Sequence, residues 1–155
     1  MIGASDWTVV AVTTLVVGAA VFFHFEVIAA LNRWTRTRPI DRQRDHHHRP
    51  TLLLVISVLL GTHIAEIWLF GGAFWLLINT PGTGAIVGYD ALSVLDCIYF
   101  SASSYTTVGW GDLNAVGAVR FLAGTEAIVG FLLITWSASF TYLVMDRTWG
   151  KKQDD

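Results

Sequence analysis

The chain has 155 residues, 54% of them hydrophobic and only 14% charged, with a mean hydropathy of +0.54. A soluble domain carries about 25% charged residues, so this composition excludes an ordinary water-soluble protein. A formal net charge of −2 excludes an electrostatic nucleic-acid binder, and a single cysteine, Cys97, excludes an intrachain disulfide framework and a multi-cysteine metal site. Cys97 reads as a packed helical residue.

The first apolar block, Trp7 to Leu31, is long enough for a membrane-spanning helix, which needs roughly 20 apolar residues. Only Asp6 is charged ahead of it, and it is too long for a signal-peptide core, so it reads as a retained span. A basic stretch, 32–50, follows, with Arg33, Arg36, Arg38, Arg42, Arg44 and Arg49. The second block runs from Thr51 to Ile78. Asn79 to Tyr89, rich in glycine and with Pro81, reads as a loop. Ser93 and Asp96 then form a capping-box pattern before a helix predicted over 94–105. Twelve residues cannot cross the layer, so this helix is expected to be re-entrant, dipping in and returning through Thr106 to Asp112. A third apolar block, Val119 to Met145, supplies the last helix, predicted over 118–146.

These readings divide the chain into 1–31, 32–50, a module at 51–146 and a tail at 147–155. The tail holds Arg147, Lys151 and Lys152, so every Lys and Arg except Arg120 falls on the basic stretch or the tail. The positive-inside rule puts both in the cytoplasm and the N-terminus outside. Trp7 and Trp75 suit the outer interface, Trp34 and Trp149 the inner one.

Thr106 to Asp112 reads TTVGWGD. Irregular backbone at membrane depth is tolerated only where it is buried in protein or lines a watery path. Gly109 and Gly111 admit backbone angles closed to other residues. Alternating them with Val108 and Trp110 lets successive carbonyls face one side, and Thr107 adds a hydroxyl oxygen. At these residues the chain resembles the pore-loop potassium channels, over about Thr51 to Asp146. The whole chain also resembles small prokaryotic ion channel family proteins with one helix ahead of the pore module.

The resemblance implies an all-α membrane protein with three transmembrane helices, a re-entrant pore helix and a selectivity-filter loop. It also implies a homotetramer, since a filter needs four strands and the chain has one. The filter would be Thr107, Val108, Gly109, Trp110 and Gly111, with K+ as the transported ion, no cofactor and no enzymatic activity. Trp110 stands where the family has tyrosine. Its indole N–H is expected to meet Ser104 or water, because Phe100 offers no polar group. Tyr99 is expected to bond Asp112, and Ser103 aligns with a position where some channels carry glutamate. Together with Thr106, these residues form the filter's support.

Ionisable groups inside membrane spans are costly, and they face protein, water or one another. His24 and Glu26 lie in the first span, His63 and Glu66 in the second and Glu126 in the third. His63, Glu66 and Glu126 read as hydrogen-bonded glue between helices or as a proton-sensitive gate, with Glu126 expected to reach groups behind the filter or on the second helix. Gly124 and Gly130 read as hinge positions or as close-packing sites. Leu132, Thr135 and Ser139 are candidates for lining the cavity. No span has an arginine ladder, and only ten residues follow Met145, so neither a voltage sensor nor a ligand-binding domain is expected. His46, His47 and His48 suit a solvated loop, a metal site or a pH sensor. The arginines around them suit anionic lipid headgroups or topology alone. Competing readings are a weakly selective cation channel, a haem or redox module on His24 and His63, and a non-conducting accessory subunit.

Overall fold

A computed structural model describes residues 3–37 and 48–149, with the backbone alone at 48, 49, 148 and 149. His46, His47, the His48 side chain, most of the arginine-rich loop and the end of the tail lie outside the described residues. The elements are α1 (Ala4–Thr37), α2 (His48–Ile78), β1 (Ala85–Val87), α3 (Val94–Tyr105), β2 (Asn114–Val116) and α4 (Arg120–Trp149). Three of the helices, α1, α2 and α4, are long and apolar enough to cross a membrane. Trp7 and Trp34 of α1 are about 40 Å apart at 1.5 Å per residue, which is close to the distance between the two headgroup layers.

The long helices outrun their apolar blocks. At the end of α1 the hydroxyls of Thr35 and Thr37 bond back to the carbonyls of Asn32 and Trp34. The short helix α3 starts at a complete capping box. The amide of Ser93 reaches Asp96 Oδ2 at 2.7 Å, and the amide of Asp96 reaches Ser93 Oγ at 3.3 Å.

A small antiparallel pairing lies where the sequence suggests only loop. β1 and β2 pair Ala85 with Val116, Ile86 with Ala115 and Val87 with Asn114. Three-residue strands are too short to show an alternating pattern, and this pair closes across the whole pore helix. Glycine permits the approach: a Cβ on Gly84 would lie 2.2 Å from the Val116 carbonyl oxygen, and Gly84 sits at φ +114°. The amide of Val119 bonds the Thr83 carbonyl at 2.8 Å. The hairpin therefore clamps both ends of the segment 88–113.

The N-terminal helix packs against α2 and α4 of its own chain. Its buried stripe is Val9, Thr13, Ala20, His24, Ile28 and Leu31, at helical spacing along one face. Its first turn lies beside the loop after α2, where Ser5 approaches Gly82, and at its other end Arg147 Nη1 donates to Asn32 Oδ1 at 3.3 Å. The start of α1 is thus on the hairpin side of the bundle.

Two apolar clusters fill the bundle. One gathers Ala20, Phe70, Phe74, Phe100, Leu122 and Leu133 near the hairpin; the other gathers Ile28, Leu31, Leu52, Leu59, Phe140 and Val144 at the far end. Between them in all three long helices sits a polar position: His24, Glu66 and Ser137, each buried.

Candidate functional site: a carbonyl-lined strip and the polar ring behind it

The strip Thr106–Asp112 is exposed along its whole length on the single chain. Its amides point back at the pore helix. Thr107 N–H donates to the Ser104 carbonyl at 2.9 Å, while Val108 and Gly109 donate to the Ser103 carbonyl at 3.0 and 3.2 Å. Trp110 N–H donates to Ser103 Oγ at 3.2 Å. The peptide bonds of the strip are all trans, and in a trans peptide the carbonyl of one residue opposes the amide of the next. The carbonyls of Thr106, Thr107, Val108 and Gly109 therefore all point away from the pore helix, toward the open side.

Alternating handedness makes this geometry. Thr107, Gly109 and Gly111 have φ of +59°, +57° and +83°, with Val108 and Trp110 on the ordinary side between them. Thr107 is the non-glycine with positive φ among the described residues, and a β-branched side chain there costs about 1–2 kcal/mol. The glycine pattern gave no sign that Thr107 shares the alternation.

Ser103 is the anchor of the strip, through one carbonyl and one hydroxyl. Ser104 offers its backbone carbonyl to Thr107, and Trp110 is tied by its amide to Ser103 while the residue is 70% exposed, so of the two partners expected for its indole, Ser104 or water, the open side offers water. Phe100 faces inward and meets Phe74 edge-on, with ring centroids 5.0 Å apart. A cleft of about 290 Å³ separates the strip from the start of α4, lined by Ser103, Ser104, Gly109, Asn114 and Arg120 among others.

At the mouth, Tyr89 donates its hydroxyl to Asp112 Oδ2 at 3.1 Å, and the Tyr99 phenol acts on the same carboxylate. Desolvation by itself would raise the Asp112 carboxyl, but the Tyr99 phenol, the Tyr89 hydrogen bond and the local amides hold it below its ordinary value. Tyr89 lies in the segment that the sequence marked only as loop. Asp96 is also held low, by the Ser93 hydroxyl and then the Ser93 amide.

Behind the strip, the last pore-helix residue, Tyr105, enters the polar layer. His24 Nδ1 lies 2.9 Å from Glu66 Oε1, and the Tyr105 hydroxyl donates to Glu66 Oε2. His63 Nδ1 lies 2.8 Å from the Tyr105 oxygen and His63 Nε2 lies 3.0 Å from Ser137 Oγ. Ser137 Oγ closes the circle to His24 Nε2 at 3.2 Å. All four ring nitrogens thus have protein partners and none is left to ligate a haem iron. Sequence reasoning paired His63 with Glu66 but missed the meeting with His24, Tyr105 and Ser137.

Glu126 is a separate site. Ser101 Oγ lies 2.5 Å from Glu126 Oε1 and 2.9 Å from the Ile67 carbonyl oxygen. A hydroxyl has one proton, and the Ile67 carbonyl can only accept. The consistent assignment is a neutral Glu126 acid donating to Ser101, which donates to Ile67. A carboxylate would leave Oε2, fully buried and without a partner among the described residues, as an uncompensated charge.

The helix α4 runs unbroken through Gly124 and Gly130. A Cβ on Gly130 would lie 2.2 Å from the Tyr105 carbonyl oxygen, so this glycine lets the inner helix touch the end of the pore helix; Gly124 faces open space in the chain. Leu132, Thr135 and Ser139 lie on the exposed face of α4, with both hydroxyls bonded back to their own helix. Glu26 is exposed on α1.

Residues 51–146 match the family model described as ion channel. The chain belongs to the ion channel family. The match spans α2, the hairpin, the pore helix, the strip and most of α4, leaving α1 outside it. Among curated proteins, this ion channel family member is 29% identical over 91 residues to Protein LctB of Geobacillus stearothermophilus, covering 59% of this chain and 66% of that protein. It is 40% identical over 45 residues to Protein LctB of Bacillus caldotenax, covering 28% and 34%. The aligned part therefore spans just under two thirds of the first relative and about a third of the second. No solved structure matches the chain. Family membership and three apolar helices make it a membrane protein.

Proposed function

We propose that the chain is one subunit of a homotetrameric, potassium-selective channel that conducts K+ passively. The observation that carries this reading is the strip in which the carbonyls of Thr106, Thr107, Val108 and Gly109 all turn from the pore helix to the open side. Four such strips around an axis would stack rings of oxygen able to replace the hydration shell of K+. The partial negative charge at the C-terminal end of α3 would favour a cation beneath them. Asp112 and Asp90, both exposed, would concentrate cations at the outer mouth. The basic residues at the ends of α1 and α4 support a cytoplasmic C-terminus and an outer N-terminus, and Arg33 and Arg36 would meet anionic headgroups.

A weakly selective monovalent cation channel is the second reading. It draws on Trp110, whose side chain makes no hydrogen bond among the described residues and so leaves that ring of carbonyls less braced. Flux into liposomes through wild type and Gly109→Ala tests the pore itself. Gly109 sits at φ +57°, where a Cβ is strained, so flux should fall at least a hundredfold. Unchanged flux would sink the filter assignment. Reversal potentials under opposed K+ and Na+ gradients separate the two readings.

A further inference from the structure

Five side chains from all four helices close a ring behind the filter. His24 comes from α1, Glu66 and His63 from α2, Tyr105 from α3 and Ser137 from α4, and five hydrogen bonds join them in a circle. A hydrogen bond contains one proton, so the full circle holds five. Stripped of those protons, the carboxylate, phenolate, alkoxide and two imidazolates would carry five negative charges. The closed ring is therefore neutral in each of its proton arrangements. With Glu66 ionised, its charge is balanced by one extra proton on the imidazole pair. That proton can sit on either histidine, because Ser137 can donate to one while accepting from the other.

Neutrality is what this place demands. The ring lies between two apolar clusters, with His24 and Glu66 fully buried, and a net charge there would be strongly penalised. Removing one proton leaves a net charge and one contact with two acceptors and no donor. Adding one sets two donors against each other. Glu126 of α4 is the other ionisable group acting on Tyr105, and it is tied to Ser101.

The ring bears on conduction through Tyr105. Its hydroxyl is held in the ring, its carbonyl abuts Gly130, and the strip begins at the next residue. We propose that His24 is a positioning residue for the filter: the N-terminal helix completes a neutral five-proton ring that fixes Tyr105, and loss of a ring contact loosens the strip. The inference rests on the channel reading and gives α1, which lies outside the family match, a function in the pore.

The test combines 15N-imidazole and 13C-carboxyl NMR of the full chain in lipid nanodiscs with K+/Na+ permeability ratios in liposomes. His24→Gln and His63→Gln spectra assign the signals. In wild type a neutral ring is expected: one imidazolium shared by His24 and His63 beside an ionised Glu66, or two neutral imidazoles beside a Glu66 acid. Glu66→Gln supplies one donor and one acceptor, so it closes the circle with both imidazoles neutral. It should keep its selectivity and show no imidazolium. His24→Phe and Tyr105→Phe each remove two contacts and should lower the ratio roughly tenfold, in assemblies whose size matches wild type. A net-charged ring in wild type, either an imidazolium beside a protonated Glu66 or two neutral imidazoles beside an ionised Glu66, would overturn the proposal, as would an imidazolium in Glu66→Gln or unchanged ratios in both phenylalanine variants. Absence of wild-type flux would overturn the channel reading on which it rests, while the NMR still reads the ring's proton count.

Discussion

Ser103 collects more of the pore strip than any single position in the sequence suggests. Its carbonyl takes the amides of Val108 and Gly109 and its hydroxyl takes that of Trp110. Asp112 is the other residue that shapes the mouth, and its pH behaviour follows from its hydrogen bonds. The Tyr99 phenol and the Tyr89 hydrogen bond favour the ionised form, so the carboxyl is held below the ordinary value of about 3.9. A depressed carboxyl contributes its contact above the unfolded value and loses it as pH falls through the folded one. Single-channel conductance at low K+ should therefore hold steady from neutral pH down to about pH 4 and fall only below that. Asp112→Asn should lower it several-fold at neutral pH, an effect that high salt removes. A decline centred near pH 6 would place the controlling charge elsewhere. Glu126 makes a second residue-scale prediction. As a neutral acid it donates to Ser101, so Glu126→Gln keeps a donor and should change thermal stability by less than about 1 kcal/mol, while Glu126→Ala should cost roughly 2–4 kcal/mol from the cavity and the lost bond. Thermal unfolding in detergent checks both, and equal losses would contradict the neutral assignment.

Among the elements, the pore helix is held by close approaches that glycine permits. Gly71 of α2 lets Ile98 sit where a Cβ would lie 2.7 Å from its Cγ1 atom, and Gly130 of α4 does the same for the Tyr105 carbonyl. Gly130→Ala should therefore disturb the filter even though alanine favours helices more than glycine does. Overpacking against backbone costs about 1–3 kcal/mol, and the expected outcome is a lower unfolding temperature together with reduced K+ selectivity. A hinge role would instead leave stability intact or improved and change only opening. The hairpin acts on the same element from outside, since β1 and β2 tie the entry of the segment to its exit.

For the whole molecule, large apolar side chains cover the outside of the single chain. Leu15, Phe22 and Leu53 are each more than 60% exposed, as suits lipid contact, while the exposed strip and the face of α4 bearing Leu132 and Phe131 suit neighbouring subunits and a water-filled path. Native mass measurement in mild detergent should give four chains, and a cysteine pair introduced across that face of α4 should cross-link neighbours into a ladder of up to four. A monomeric or dimeric mass with no ladder would rule out the tetrameric pore.

Much of this architecture was legible because the signals are local. Span length, the Ser93–Asp96 cap and the glycine alternation of the strip each reside in a few neighbouring residues, and the helix 94–105 follows from them to the residue. The meeting of His24 with Glu66, Tyr105 and Ser137 was not legible, because it depends on how four helices rotate about their axes. A membrane helix with apolar residues on every side does not encode that rotation in its hydropathy. Glu126 was expected to reach groups behind the filter or on the second helix and does meet the pore helix, but its partner Ser101 is set by the depth at which that helix docks, and Tyr89 is brought to Asp112 by a hairpin too short to announce itself.

By itself, then, the sequence determined the three apolar helices, the re-entrant helix between the last two and the glycine pattern that frees the strip's backbone, since length, charge and backbone freedom are properties of adjacent residues. Only the tertiary structure decided that the strip's amides gather on Ser103, that Thr107 joins the left-handed alternation and that α1 lends His24 to the ring. Each of these is a contact between distant segments, fixed by close packing and by the requirement that every buried polar group find its partner.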